Sequence, residues 1–167
     1  MDYKELELYG RPIRYYDETH IETERRMAKN KWRQVKPYKN KAGTGYYQFS
    51  LTGEGKEHKI KVHRLVFYAH NPTWDYYDGS TDNSIDHINN DSLDNRIENL
   101  RNVSHQQNHF NKPKTKGYWF EIRGKKNWRA EIVVSGKRLY LGRYVEEEDA
   151  RDAYLTAKAK YHVIEDN

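Results

Sequence analysis

Cysteine is absent from the 167 residues, so the chain has no disulfide, no thiolate zinc site and no thiol nucleophile, and it fits a reducing compartment. Apolar residues are scarce as well, at 35% with a mean hydropathy of −1.22. No apolar run approaches the roughly 20 residues that cross a bilayer, which excludes a spanning helix. The same scarcity excludes a large enzymatic core and suits one modest domain or two very small ones. The first residues, Met1-Asp2-Tyr3-Lys4-Glu5, lack the basic start and apolar stretch of a signal peptide, and the expected location is the cytoplasm.

Charge is plentiful and unevenly spread. Residues 1–70 carry 15 Lys/Arg against 9 Asp/Glu, residues 71–111 carry 2 against 7, and residues 112–167 carry 13 against 9. The three segments are therefore +6, −5 and +4. With a pI near 9.2, this order suits a polyanion gripped at both ends and a cation held in the middle. Charge scatter on a polar surface explains the same counts, so charge alone leaves the two readings level. The 15 Tyr and 4 Trp add flat, partly polar side chains suited to nucleic acid.

The first third alternates poorly; residues 22–34 read as a short basic helix or a loop. From Gly45 the pattern sharpens. Tyr46 to Leu51 alternates as a strand, Thr52-Gly53-Glu54-Gly55 turns, and Glu57 to Val62 alternates again, which predicts a hairpin. His63 to His70 reads as an apolar helix stopped by Asn71-Pro72, and residues 71–84 as a polar loop. A strand around 84–88, a wide Asn/Asp-rich loop and a strand around 100–103 follow. A helix is expected after Ser104, where Ser104 and Gln107 have capping-box spacing. The expected outcome is a ββα unit with polar side chains pointing inward.

Beyond the linker 111–117 the periodicity is clearer. Tyr118, Phe120 and Ile122 alternate along one strand, and Trp128, Ala130, Ile132 and Val134 along a second. Leu139 and Leu141 follow the Ser135-Gly136 turn. Ala150, Ala153, Tyr154, Ala157 and Tyr161 form a helical stripe behind the acidic run 146–149, which favours a helix start. A three-stranded sheet covered on one face by a helix is predicted. Its bare face presents Trp119, Glu121, Arg123, Arg129, Glu131, Arg138 and Tyr140.

In the central unit, the carboxylate of Asp86 and the amide oxygen of Asn108 are hard donors for a divalent cation, with positions left for phosphate and water. His87, next to Asp86, is a free base at neutral pH and can take a proton from water. Asn99 would tie the 89–98 loop to the strand and so fix the imidazole. An Asp-His dipeptide by itself is more often a surface turn. It does not stand alone, because Val62-His63-Arg64-Leu65-Val66, Ile85-Asp86-His87-Ile88-Asn89-Asn90, Asp94-Asn95-Arg96-Ile97-Glu98-Asn99-Leu100-Arg101 and Asn108 follow in order.

This series resembles the HNH homing-type endonucleases, especially small phage-encoded ones, over about residues 45–111. The resemblance implies one divalent metal, Mg²⁺ with Mn²⁺ as a substitute, held by Asp86 and Asn108, with His87 activating water and Asn99 bracing the loop. His63, His105 and His109 are accessory candidates, of which His63 reads better as packing beneath the site. His58 and His70 read as structural or solvated, and no compact histidine set suggests zinc.

Residues 118–167 resemble the ethylene-response-factor type of DNA-binding domain. The matching residues are Gly117-Tyr118-Trp119, Trp128-Arg129-Ala130-Glu131-Ile132, Gly136-Lys137-Arg138, Tyr140-Leu141-Gly142 and the helix from Glu147 to Tyr161. The resemblance implies that the sheet enters the major groove, with Trp119, Arg123, Arg129, Glu131, Arg138 and Tyr140 as contacts. Lys125 and Glu121 depart from the plant pattern, so base preference does not carry over. Lys112, Lys114 and Lys116 either touch phosphates or form a solvated tether.

The expected fold class is α+β: a ββα-metal nuclease unit, then a three-stranded antiparallel sheet packed on one α-helix. The expected divisions are a basic region 1–44, a nuclease domain 45–111 with its core at about 84–111, a linker 112–117 and a DNA-binding domain 118–167. The expected partner is double-stranded DNA, with no membrane and no small-molecule substrate, for a monomer or homodimer in the cytoplasm, a host's if the source is a phage. The competing readings are a non-catalytic DNA-binding regulator with a decayed nuclease fold and, third, an RNA-binding module.

Overall fold

A computed structural model describes residues 2–40, 45–104, 107–108 and 116–163. The chain is α+β, mostly strands, and divides into two compact units, residues 1–104 and 105–167. Among the described residues no helix is long and apolar enough to cross a membrane.

The first unit opens with a four-stranded antiparallel meander of β1 (Lys4–Leu8), β2 (Arg11–Tyr15), β3 (Ile21–Arg25) and β4 (Ala28–Gln34). Its inner face is set by alternation: Leu8, Ile13, Tyr15, Ile21 and Thr23 are buried. The helix-or-loop expectation for residues 22–34 is therefore corrected to a hairpin. Its signal is weak because β4 is an outer strand that buries little, so most of its positions carry polar or charged residues instead of apolar ones.

A second sheet holds β5 (Tyr38–Lys39), β6 (Tyr47–Gly53) and β7 (Lys56–Lys61). Both the β1–β2 and the β6–β7 connections are two-residue turns, Tyr9-Gly10 and Glu54-Gly55, with positive φ at both positions. That geometry matches strand twist and fixes the register of each hairpin. Helix α1 (Val62–His70) follows directly, burying Val62, His63, Leu65, Val66 and Ala69 at helical spacing. It ends where Asn71 donates from Nδ2 to the Phe67 carbonyl at 3.0 Å.

The loop after α1 is organised by Arg64, whose guanidinium donates to the carbonyls of Tyr76 (2.7 Å) and Asn83 (3.1 Å) and lies over the Trp74 ring. A two-stranded ribbon of β8 (Ser84–His87) and β9 (Leu100–Val103) closes the unit, with a 3₁₀ turn at Ile97–Asn99 before β9. One hydrophobic cluster joins all of this, from Leu8 and Ile13 through Phe49, Leu51 and Leu65 to Ile85 and Leu100. The N-terminal sheet thus shares its core with the strands and helix that carry the motifs.

The second unit contains β10 (Tyr118–Phe120), β11 (Trp128–Val134), β12 (Lys137–Tyr144) and helix α2 (Glu147–Tyr161). Ile132 packs with Tyr154 and Ala157 of the helix, flanked by Tyr118, Val134 and Leu141. The first strand is shorter than its alternation predicts: Phe120 is 54% exposed and Ile122 84% exposed. The helix offers mainly alanines to the sheet and covers only its centre, so the ends of the alternating pattern stay uncovered.

Leu65 has no exposed surface and sits on α1 against both neighbouring sheets' core residues. Leu65→Ala is expected to cost about 2–5 kcal/mol in chemical denaturation of the full chain. A loss under about 1 kcal/mol, well below that range, would show that the shared core does not depend on this helix.

Candidate active site and nucleic-acid interface

Asp86 and His87 end β8 and are both buried, Asp86 at 6% exposure. Two buried polar side chains in sequence need partners, and the ribbon and its loop provide them. Asp86 lies directly across from Arg101 on β9, which donates from Nε (3.1 Å) and Nη2 (3.0 Å) to Oδ2. His87 Nε2 lies 3.2 Å from the side-chain oxygen of buried Asn95. An amide oxygen only accepts, so Nε2 is the donor in this contact and Nδ1 is the ring's other nitrogen.

The loop that delivers Asn95 is braced by Asn99. Asn99 Nδ2 donates to Asn89 Oδ1 (3.0 Å) and to the Asp94 carbonyl (2.8 Å), while its Oδ1 accepts from the Asn89 amide at 3.0 Å. Asp94 holds Arg96 through both carboxylate oxygens, and this pairing pulls its pKa down to about 2. Asn99 therefore holds the loop, and Asn95 holds the ring. Asn95 and Arg101 are site residues that the sequence does not single out: both lie inside HNH-like runs, but nothing in their spacing shows which side chain turns inward.

His63 on α1 is buried with its ring centroid 5.2 Å from that of His87, and the Tyr46 ring lies 4.7 Å from His63 and 5.8 Å from His87. His63 Nδ1 is buried without a hydrogen-bond partner. Burial first, and then Coulombic interaction with His87, Lys61 and Arg64, holds its pKa well below the ordinary 6.5. It is a neutral wall of the site. His58 donates to the Gly53 carbonyl and stacks on Tyr9, and His70 bonds the Val66 carbonyl, so both serve structure.

Asn108 belongs to the second unit, in a helical turn with Gln107, and is partly buried. His105, His109, Lys112 and Lys114 lie outside the described residues. Lys116 is exposed beside the Tyr118 ring. Among the described residues no group of three or more His, Asp or Glu is placed to hold a metal ion. Asp86 offers a buried carboxylate, a hard oxygen donor of the kind divalent cations take.

Residues 61–110 match the family model described as HNH endonuclease. The matched segment runs from the end of β7 through α1, β8, the braced loop and β9, and it includes Asp86, His87, Asn95, Asn99 and Asn108. No curated protein and no solved structure matches the chain. The HNH match supports a nuclease and, with it, DNA as a partner.

In the second unit, the sheet face opposite α2 carries an ordered charge and aromatic network. Arg129 pairs with Glu131 and Glu121, and its guanidinium lies 5.6 Å from the Trp119 ring centroid and 5.4 Å from that of Tyr140. Arg123 lies 3.7 Å from Glu121, and Arg138 stands exposed across from Val133. Arg143 also pairs with Glu121 and lies opposite Arg129. Simple alternation would turn Arg143 away from this face. A bulge reverses it: Ala130 pairs with Gly142 and Glu131 with Tyr140, leaving Leu141 as an extra residue, and Gly142 takes φ 137°.

The unfolded chain protonates a histidine below pH 6.5, while buried His63 resists the proton. Its share of stability is therefore intact above pH 6.5 and is lost as the pH falls through that value. The melting midpoint of the native chain is expected to drop more between about pH 7.5 and about pH 5.5 than that of His63→Phe. Equal drops would show that His63 does not bear this penalty.

Proposed function

We propose that the protein is a divalent-metal-dependent HNH DNA endonuclease, homing-type or nicking, directed to its site by the C-terminal sheet. The observation that carries the reading is the buried Asp86–His87 pair inside the HNH-matching segment, with His87 held through Nε2 so that Nδ1 is the basic nitrogen. Asp86 and Asn108 are the side chains that would hold Mg²⁺, which when bound supplies positive charge at the scissile phosphate and the leaving 3′ oxygen.

His87 Nδ1 takes a proton from water as the water oxygen bonds to phosphorus and the bond to the 3′ oxygen breaks. General-base catalysis of this kind is worth roughly 10²–10⁴-fold. Asn95 keeps the imidazole in the tautomer and orientation this needs, and Asn99 keeps Asn95 in place through the loop. Arg101 holds the Asp86 carboxylate and balances its charge in the buried ribbon. One such pair per chain fits a nick from a monomer and a double-strand break from a dimer.

Supercoiled plasmid carrying the cognate locus, incubated with Mg²⁺, Mn²⁺ or EDTA, tests this reading. Cleavage is expected with either metal, none with EDTA, and none from His87→Ala, which should still bind the plasmid. Asp86→Ala and Asn108→Ala should shift the metal requirement upward. Wild-type cleavage by His87→Ala would remove the proposed base, and no cleavage under any metal would favour the non-catalytic regulator.

For the C-terminal sheet, the proposal is major-groove reading by Trp119, Arg123, Arg129, Glu131, Arg138 and Tyr140, as the resemblance to ethylene-response-factor domains implies, with Arg143 added because the bulge places it on the same face. Arg129→Ala is expected to cost about 1–3 kcal/mol of discrimination between cognate and altered duplexes in a binding titration. Unchanged discrimination would leave the sheet as a solvated face.

A further inference from the structure

The β3–β4 hairpin has no part in the chemistry proposed above, yet its tip, its second strand and the residues just after it carry charge of one sign. Residues 25–36 contain six cations, Arg25, Arg26, Lys29, Lys31, Arg33 and Lys36, and no Asp or Glu. All six are exposed, and among the described residues none is ion-paired with an acid. The two acids of β3 are occupied: Glu24 accepts from the Asn30 amide, and Glu22 faces His20 and Tyr16. Arg14, on the same sheet, shows the contrast, since it is stacked between Trp32 and Tyr3 and faces Glu5.

An outer strand has an ordinary use for lysine, because charge on an unpaired edge discourages pairing with another chain. One or two charges serve that purpose. Six within twelve residues repel one another, a cost that edge protection does not require and that a polyanion removes. The geometry suits one polyanion in particular. Lys31 and Arg33 project from one face of β4 two residues apart, about 6.7 Å along the strand. A DNA strand presents a phosphate about every 3.4 Å of helix axis, so each cation in such a row meets a phosphate of its own. The hairpin tip, Arg26-Met27, lies beyond the last pair, Arg25 with Ala28, and Met27 is 93% exposed.

We propose that the β3–β4 hairpin is a sequence-independent clamp on the sugar–phosphate backbone of duplex DNA. It lies within the same compact unit as Asp86 and His87, and it rests on the nuclease reading only for the identity of the polyanion. Residues 1–44 then supply affinity without sequence information, while other residues supply cleavage and discrimination.

The test uses the full chain carrying His87→Ala, so that DNA is not consumed, with and without Arg25→Ser, Arg26→Ser and Lys29→Ser together. These three positions are exposed, and circular dichroism and melting curves establish that the variant folds. Binding to a duplex of arbitrary sequence is followed by fluorescence anisotropy from about 50 to 200 mM NaCl. The slope of log K against log[NaCl] is expected to become shallower by about 0.9 for each phosphate no longer neutralised, roughly 2 to 3 in all. Affinity at the lower salt should fall at least about tenfold, equally for cognate and arbitrary duplexes.

An unchanged slope with unchanged affinity overturns the clamp. So does a variant that aggregates while its monomeric fraction binds as before, which would assign the cations to edge protection. Tighter binding to duplex RNA of the same sequence than to DNA would overturn the choice of partner. Failure of the nuclease reading is separate, because the slope is measured without cleavage: a clamp can be present in a chain that never cuts, and a cutting chain can lack it.

Discussion

The burial of Asp86 and His87 at the end of one short strand is the constraint from which the rest of the site follows. A carboxylate and an imidazole withdrawn from water need polar partners. The ribbon gives Asp86 a cation directly across the strand pair, Arg101, and the loop gives His87 an acceptor, Asn95. A loop that delivers one buried amide to one ring nitrogen must itself be stiff, and Asn99 makes it so with three hydrogen bonds. Behind the pair, α1 presents a histidine that stays neutral, so the wall adds shape without adding a competing charge. Each of these side chains is polar, and each sits where an apolar core would otherwise continue through Ile85 and Leu100.

The acidic middle of the chain has a different origin from the one its net charge suggests. Seven acids fall in residues 71–111, and Asp86 alone among them is buried. Asp75, Asp78 and Asp91 accept backbone amides two residues on, at Tyr77, Ser80 and Leu93. Asp94 is held by Arg96. These carboxylates fold loops by replacing water at backbone donors, a local role that Asp performs well. The −5 of the segment is mostly the chemistry of two long loops, and the case for a cation rests on one carboxylate.

Legibility in the sequence follows burial. The β6–β7 hairpin, α1 and the C-terminal strands and helix are readable because one side of each faces a core, which imposes a period of about two or about 3.6. Where only part of an element is covered the pattern misleads: Phe120 and Ile122 alternate correctly and still end up exposed, since a helix rich in alanine reaches only the middle of the sheet. Residues 22–34 mislead for the opposite reason, an outer strand whose exposed side chains hide its period. In the site, Asp86, His87 and Asn99 can be named from residue types in order. Asn95 cannot, because the choice of which amide in an Asn/Asp-rich loop turns inward is made by loop geometry that spacing does not encode.

Arg143 carries the same lesson to the C-terminal sheet. Strand alternation assigns it to the helix side, and one extra residue, Leu141, moves it to the face that holds Arg129, Glu121 and Trp119. The bulge costs a ladder position and is compensated in the core, where Leu141 packs beside Ile132 and Tyr154. A single inserted residue thus does two things: it fills the space under the sheet and places a second guanidinium beside the first. Glu121 pairs with both arginines and Glu131 with Arg129, so the two guanidiniums are held side by side. A group that drew these arginines away would have to offer acceptors as good as Glu121 and Glu131.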